Sequence, residues 1–307
     1  MPTPPHRTSR IVDDDTAIFD LLDEPRRRVD DTLRRYLEHL EQPRALTDAV
    51  TYALLAGGKR LRPVLCWYSG VAAGDDRQRT LAPAAAVELV HAFSLVHDDL
   101  PAMDDDDLRR GRPTLHIHAG EAVAILAGDA MLAMAFDLLA SEPDFDSQTV
   151  RRLITELTAG TRGMISGQVY DTIGGFSDEL SDRQRLELIH RNKTGALLRA
   201  AARMGVIAAG GDAGTLDAIT RYADDAGLMF QIVDDLMDVR ESSEHVGKRT
   251  GKDVAAGKLT FPAILGVPES EKEVDRLCQR ALETIAPLKE RARPLGELVR
   301  YLARRTR

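Results

Sequence analysis

The stretch VELVHAFSLVHDDLPAMD, residues 87–104, decides the fold. Apolar side chains at Leu89, Phe93, Val96 and Leu100 recur in steps of four and three, the period of a helix face rather than of a strand. This helix delivers Asp98 and Asp99 near its C-terminal end, and Pro101 distorts or interrupts it before Asp104. A second stretch, AGLMFQIVDDLMDVRESS (226–243), repeats the pattern with Asp234, Asp235 and Asp238. Bare carboxylates this dense in apolar surroundings repel one another, at roughly 4 kcal/mol for a pair 4 Å apart at intermediate dielectric. Something cationic must neutralise them.

The same helical period runs outward from these two stretches. AIFDLLDEPRRRVDDTLRRYLEHL (17–40) and GEAVAILAGDAMLAMAFDLLA (120–140) are rich in Ala and Leu and poor in β-branched alternation. No strand, hairpin or βαβ rhythm is evident. Gly and Pro punctuate at 57–58, 62–63, 111–113, 174–176 and 210–211, and two longer polar segments, 173–182 and 240–260, read as loops. The expectation is an all-α protein: a flexible leader over 1–15, then a single large helical bundle over 16–307 with its site in the core.

Composition narrows the function. The net charge of −8, without a basic run interleaved with aromatics, argues against nucleic-acid binding. Only Cys66 and Cys278 are present, far apart and without metal-ligand spacing, which fits a reducing, cytoplasmic setting. No run of 18 or more apolar residues appears, and the N-terminal MPTPPHRTSR lacks the apolar core of a signal peptide, so neither membrane insertion nor export is expected.

Oxygen-only ligands with no Cys or His at metal spacing point to Mg²⁺, an ion usually shared with substrate phosphates. Asp234 and Asp238, at i and i+4, project from one helix face, with Gln231 one turn earlier. Asp98 and Asp104, six apart, need the proline distortion to meet; Asp98 and Asp105 share a face on an undistorted helix. The plainer reading of the first cluster, an acidic helix end running into a solvated loop, explains the placement poorly, because acids near a helix C-terminus oppose the macrodipole.

Basic residues surround both clusters. Arg109, Arg110 and Arg112 follow the first; a guanidinium fork matches phosphate oxygens, although such a neighbour is often only a surface ion pair. Lys248, Lys252 and Lys258 follow the second, either as ordinary loop charges or as a cover that closes over a diphosphate. GGKRLRP (57–63) places Lys59 and Arg62 after a glycine pair, and HRNKTG (190–195) offers Lys193 and Thr194. His91 lies two turns before Asp98, where a lone histidine is more often a core residue than a ligand.

These elements together resemble the trans-isoprenyl diphosphate synthases (polyprenyl synthetases), most closely the bacterial farnesyl type. The match runs from about residue 25 to Tyr301. GGKRLRP, HDDLPAMDDDDLRRGRPTLH, GEAVAILAGDA, GQVYD, HRNKTGALLRAA, FQIVDDLMDV, GKRTGKD and GKLTFPAILG stand in the family's order. Any one is moderately specific; the ordered set is very specific.

The resemblance implies a bundle of some dozen helices around a deep cavity, assembled as a homodimer. It makes Asp98, Asp99 and Asp104, with Asp234, Asp235 and Asp238, the holders of three Mg²⁺ ions and an allylic diphosphate. It assigns Arg109, Lys193, Thr194, Gln231, Lys248 and Lys258 to that diphosphate, and Lys59, Arg62, His91 and Arg110 to isopentenyl diphosphate. The basic tail YLARRTR (301–307) resembles those that help close the second site. The implied reaction is ionisation of an allylic diphosphate and attack by isopentenyl diphosphate, giving farnesyl diphosphate from the dimethylallyl and geranyl primers.

In the family, the residues four and five places before the first Asp set the pocket floor; here they are Ser94 and Phe93. On an ideal helix Ser94 lies nearly beneath Asp98, whereas Phe93 is rotated well away and roughly 7.5 Å down the axis. The wheel alone does not make Phe93 the floor. An aromatic there with a two-residue insertion in the motif is the bacterial farnesyl pattern, and a geranylgeranyl product stays open. A class I terpene cyclase shares the chemistry but normally has one full Asp motif and lacks GGKRLRP. A Ca²⁺-binding or regulatory helical subunit built on the same fold is the non-enzymatic alternative, although the first cluster lacks the glycine-centred loop of a Ca²⁺ hand.

Overall fold

The computed structural model describes the backbone of residues 9–75, 78–244 and 259–305, and the side chains within 21–75, 78–240 and 259–305. Thirteen α-helices account for most of it: α1 (Ser9–Glu38), α2 (Arg44–Leu54), α3 (Leu61–Ala73), α4 (Leu81–Asp98), α5 (Leu115–Ala119), α6 (Glu121–Ala140), α7 (Ser147–Thr172), α8 (Asp182–His190), α9 (Ala196–Ala208), α10 (Ala213–Glu244), α11 (Phe261–Leu265), α12 (Val267–Ile285) and α13 (Arg293–Arg304). The all-α expectation holds.

Local chemistry sets several of the helix ends. Asp146 caps α7 by accepting from the Thr149 amide at 2.7 Å. Ser181 and Gln184 form a capping box at the start of α8. In α1, Val29, Leu33 and Leu37 are buried one turn apart, so tertiary packing holds the helix together despite the interior Pro25. Helix α1 begins at Ser9, within the stretch expected to be a leader, and Arg62–Pro63 falls in the first turn of α3 rather than between helices, where proline costs no hydrogen bond.

One hairpin was not foreseen. Leu108–Arg109 pairs with Arg112–Pro113 around Arg110 and Gly111, both at positive φ (54° and 73°). Two residues with left-handed φ match the twist of a two-residue hairpin, a turn usually signalled by Asn-Gly.

Helix α9 is the central post. Almost all its side chains are buried, and it packs on α3, α7, α10 and α4. Its approach to α3 is close: a Cβ on Gly205 would stand 2.0 Å from the Cys66 carbonyl oxygen. One core gathers Leu89, Met131, Leu139, Leu153 and Leu157 from α4, α6 and α7. The other gathers Trp67, Tyr222 and Phe261 with the apolar faces of α12 and α13. The aspartate-bearing helices α4 and α10 therefore sit in different halves. Helix α6 is the one described helix long and apolar enough to cross a membrane by length and composition, but Asp129 and Asp137 interrupt it and one face packs on α4.

Candidate active site

The first motif is a helix end that curls back on itself. Asp98 is the last residue of α4; beyond it the Asp104 amide donates to the Asp98 carbonyl at 2.8 Å, and the Asp106 amide to the Asp99 carbonyl at 3.3 Å. This fold-back, not a distorted helix continuing past Pro101, brings Asp104 towards Asp98. Asp105 has φ of 52°, so the helical face it was expected to share with Asp98 does not exist. Burial raises the Asp98 pKa to about 6; Lys193 opposes the rise and Asp104 adds to it.

Asp99 behaves differently from its neighbour. It is only 3% exposed, and its carboxylate accepts from Arg109 Nε at 2.8 and 3.0 Å and from Nη2 at 2.5 Å. The hairpin that carries Arg109 also turns Arg110 onto the glycine pair, where Arg110 Nη1 donates to the Gly57 carbonyl. Gly57 and Gly58 both have positive φ, and a Cβ on Gly58 would collide with the Arg110 guanidinium at 2.5 Å. The glycine pair thus makes room first for Arg110. Arg60, within the same motif, is structural: it is buried and paired with Asp30 at 2.9 Å and Glu88 at 2.6 Å.

The second motif repeats this division. Asp234 lies near Arg305 at 3.4 Å, and burial, opposed by Arg305 and reinforced by Asp238, raises its pKa to about 6. Asp235 accepts from the Phe261 amide at 2.9 Å and faces His190 Nε2 at 3.6 Å. It thereby pins the start of α11, the first helix after residues 245–258. His190 is buried and stacks on the Phe261 ring. Asp238 lies one turn beyond Asp234 on the exposed side of α10.

Between α8 and α9 the helix widens into a single π turn, Arg191–Gly195, which presents Lys193 and Thr194. Such turns often mark functional positions in helices. Lys193 Nζ donates to Asp171 at 2.6 Å, and Thr194 Oγ1 to Gln231 Oε1 at 3.1 Å, tying the turn to α7 and α10. A Cβ on Gly167 would lie 2.0 Å from the Lys193 amide nitrogen, so only glycine lets α7 come this near. Sequence reasoning gave no role to Asp171 or Gln168, although GQVYD was the available signal; Gln168 Oε1 is buried without a hydrogen-bond partner.

Two cavities meet here. The first, about 430 Å³, is lined by Lys59, Arg62, His91, Arg110, Asp234 and Arg305. The second, about 670 Å³, holds Asp98, Lys193 and Thr194 at one end and Phe93, Ser94, Ile125, Met164 and Ile165 along an apolar barrel. Arg62 and His91 line both. Burial lowers the pKa values of Lys59, Arg62 and Arg110, with nearby arginines adding to the effect for Lys59 and Arg110; Arg62 Nε has no partner. Burial, then the surrounding arginines, hold His91 well below the usual range and hence neutral. Partly buried acids, Asp98 and Asp234, thus adjoin partly or wholly buried bases, Lys59, Arg62 and Arg110, across one cleft.

Among the described residues, no three His, Cys, Asp or Glu side chains converge as a ready-made metal site. An ion here would complete its shell with ligand oxygens, the habit of Mg²⁺ at phosphates. Phe93 and Ser94, which the helix wheel set apart, both reach the wall of the larger cavity. Lys248, Lys252 and Lys258 lie outside the described residues. Arg305, from the basic tail, lines the smaller cavity as expected.

A family model described as polyprenyl synthetase matches residues 43–293. Geranylgeranyl pyrophosphate synthase 11, chloroplastic, of Arabidopsis thaliana is 44% identical over 270 residues, covering 86% of this chain and 76% of that protein. Among solved structures, a geranyltransferase from Legionella pneumophila superposes with a TM-score of 0.82 at 33% identity, covering 95% of this chain and 98% of that one. An FPP/GFPP synthase from Zymomonas mobilis gives 0.81 at 32% identity, covering 95% and 99%.

Proposed function

The chain belongs to the polyprenyl synthetase family and is a prenyltransferase, and from that premise we propose that it joins isopentenyl diphosphate to dimethylallyl and geranyl diphosphates, making farnesyl diphosphate. The observation that carries this reading is the junction at Arg62 and His91, where an anion-seeking cavity opens into an apolar one that holds Asp98 and Lys193. A diphosphate that stays suits the smaller cavity. A diphosphate that leaves suits the mouth of the larger, with its hydrocarbon in the barrel.

The residues fit a hard divalent cation. Their donors are oxygen only, and burial holds the Asp98 and Asp234 pKa values up, so a bound cation would offset the lost hydration of their charged forms. Asp98, Asp104, Asp234 and Asp238 would hold Mg²⁺, three ions by family resemblance, which supplies neutralisation of the diphosphate as it departs. Lys193, Thr194 and Gln231 grip the same diphosphate, joined by Lys248 and Lys258. Arg62, Arg110, Lys59 and neutral His91 orient isopentenyl diphosphate.

The allylic C–O bond breaks with its electron pair going to diphosphate. The isopentenyl double bond then attacks the cation to form the new C–C bond, and a proton passes to the departed diphosphate. The apolar barrel keeps water from the cation. Ile125, Ile165, Val169 and Ile173 line this barrel yet are 44–78% exposed in the single chain, so a second copy covering α6 and α7 is the fitting partner.

The chain's 44% identity to a protein named a geranylgeranyl pyrophosphate synthase favours a second reading, a twenty-carbon product. Incubation with Mg²⁺, isopentenyl diphosphate and each allylic primer, followed by product identification, decides between them. Farnesyl diphosphate as the main product is expected; geranylgeranyl diphosphate supports the second reading, and a hydrocarbon formed without isopentenyl diphosphate overturns both.

A further inference from the structure

We propose that His97, seated on Gly128 of α6, fixes the Phe93 ring and so sets the length of the product chain. The proposal rests on the prenyl-elongating reading above. Helix α4 places Phe93 and His97 one turn apart, and both line the larger cavity. Their rings meet edge to face, with centroids 5.6 Å apart and planes at 86°, an attractive geometry for aromatic rings.

His97 is itself held from the opposite helix. Its Nε2 lies 3.1 Å from the Ile125 carbonyl oxygen; a carbonyl only accepts, so Nε2 carries the proton and donates. A Cβ on Gly128 would stand 2.1 Å from Nε2 and 2.4 Å from Cδ2, so the imidazole fills the space that a side chain at 128 would occupy. The missing side chain on α6 therefore seats His97 against that helix, at the edge of the barrel, and Phe93 rests against the ring so placed. Ile125, which anchors His97 through its carbonyl, also lines the barrel, so the device is part of the cavity wall.

Two substitutions move Phe93 in opposite directions without touching it. His97→Ala removes the ring's support and opens volume beside it; the ratio of twenty- to fifteen-carbon product should rise on the order of tenfold, the scale of discrimination that apolar pocket contacts give. Gly128→Ala pushes the imidazole off α6 into the barrel, so ten-carbon product should accumulate at the expense of longer chains. If His97 acts through Phe93, the double variant Phe93→Ala/His97→Ala should match Phe93→Ala alone.

Product ratios, measured by chromatography after reaction with isopentenyl and dimethylallyl diphosphates, report on whatever fraction of enzyme is active. His97→Gln, which keeps the donor but loses the ring, gives a second route to lengthening if His97→Ala melts early. Unchanged ratios in these variants, or additive effects in the double, overturn the role of His97 while leaving the prenyl-elongating reading intact. A wild-type protein that elongates no primer overturns that reading, and this inference with it.

Discussion

Asp98 and Asp99 are adjacent in sequence, yet burial and partners give them different tasks. Asp99 commits its carboxylate to the Arg109 fork, whereas Asp98, its pKa raised to about 6 by burial, faces the larger cavity. Asp235 and Asp234 divide in the same way, Asp235 holding the Phe261 amide. Asp98→Asn should therefore lower kcat by roughly 10²- to 10³-fold, as loss of a group stabilising developing charge does, and raise the Mg²⁺ concentration needed for half activity. Asp99→Asn should leave that Mg²⁺ requirement near wild type while raising KM for the allylic substrate, because Arg109 loses its anchor. Steady-state kinetics across a Mg²⁺ series separates the two; equal Mg²⁺ shifts would assign Asp99 to the metal. Phe93→Ala, read by product analysis, should lengthen the main product by one or more five-carbon units. The residue types and order of this site were plain in the sequence, but the division within each Asp pair was not. It depends on Arg109 and Phe261 arriving from other elements.

At the scale of elements, the π turn shows what spacing alone conceals. HRNKTG reads as helix or loop with a lysine in it; the widened turn exists because α7 presses on it through Gly167. A methyl group at Gly167 would meet Lys193 backbone, which cannot swing aside as a side chain does. Gly167→Ala should cost about 1–3 kcal/mol of stability, the range for overpacking. Activity should fall further than the melting curve accounts for, because the Lys193–Asp171 pair separates; calorimetry beside kcat measurements tests this. The hairpin at Arg110–Gly111 was missed for a related reason. Four paired residues leave too little alternation to detect, and an arginine at left-handed φ carries no turn signal. The long helices were legible because three- and four-residue apolar spacing persists for several turns in each, and tertiary burial reinforces it.

For the whole molecule, the ordered motifs sufficed to foretell a helical bundle with a central site. They did not foretell that the basic and acidic residues would line two abutting cavities, with Asp234 among the bases of the smaller and Asp98 beside Lys193 in the larger. That arrangement couples the ligands: Mg²⁺ relieves Asp98 and Asp234, diphosphate relieves Arg62 and Arg110, and each improves the site for the other. Mg²⁺ alone or diphosphate alone should raise Tm little. Together, at about a hundred times their Kd, they should raise it by about 5 °C, from the mass-action stabilisation of ligand binding spread over a chain of this size. The effect should depend on pH with a definite sign. Asp98 and Asp234 have folded pKa values of about 6, above the unfolded value near 3.8, so the folded state binds more protons between these limits. Their contribution to the ligand-free protein therefore falls as pH rises from about 4 to 6 and stays low above that. Metal must displace those protons at pH 5 but not at pH 7.5, so the joint Tm increase should be larger at pH 7.5. Thermal melts with each ligand alone and with both, at the two pH values, test this. Additive shifts, or a larger joint shift at pH 5, would mean that metal and diphosphate do not answer one another.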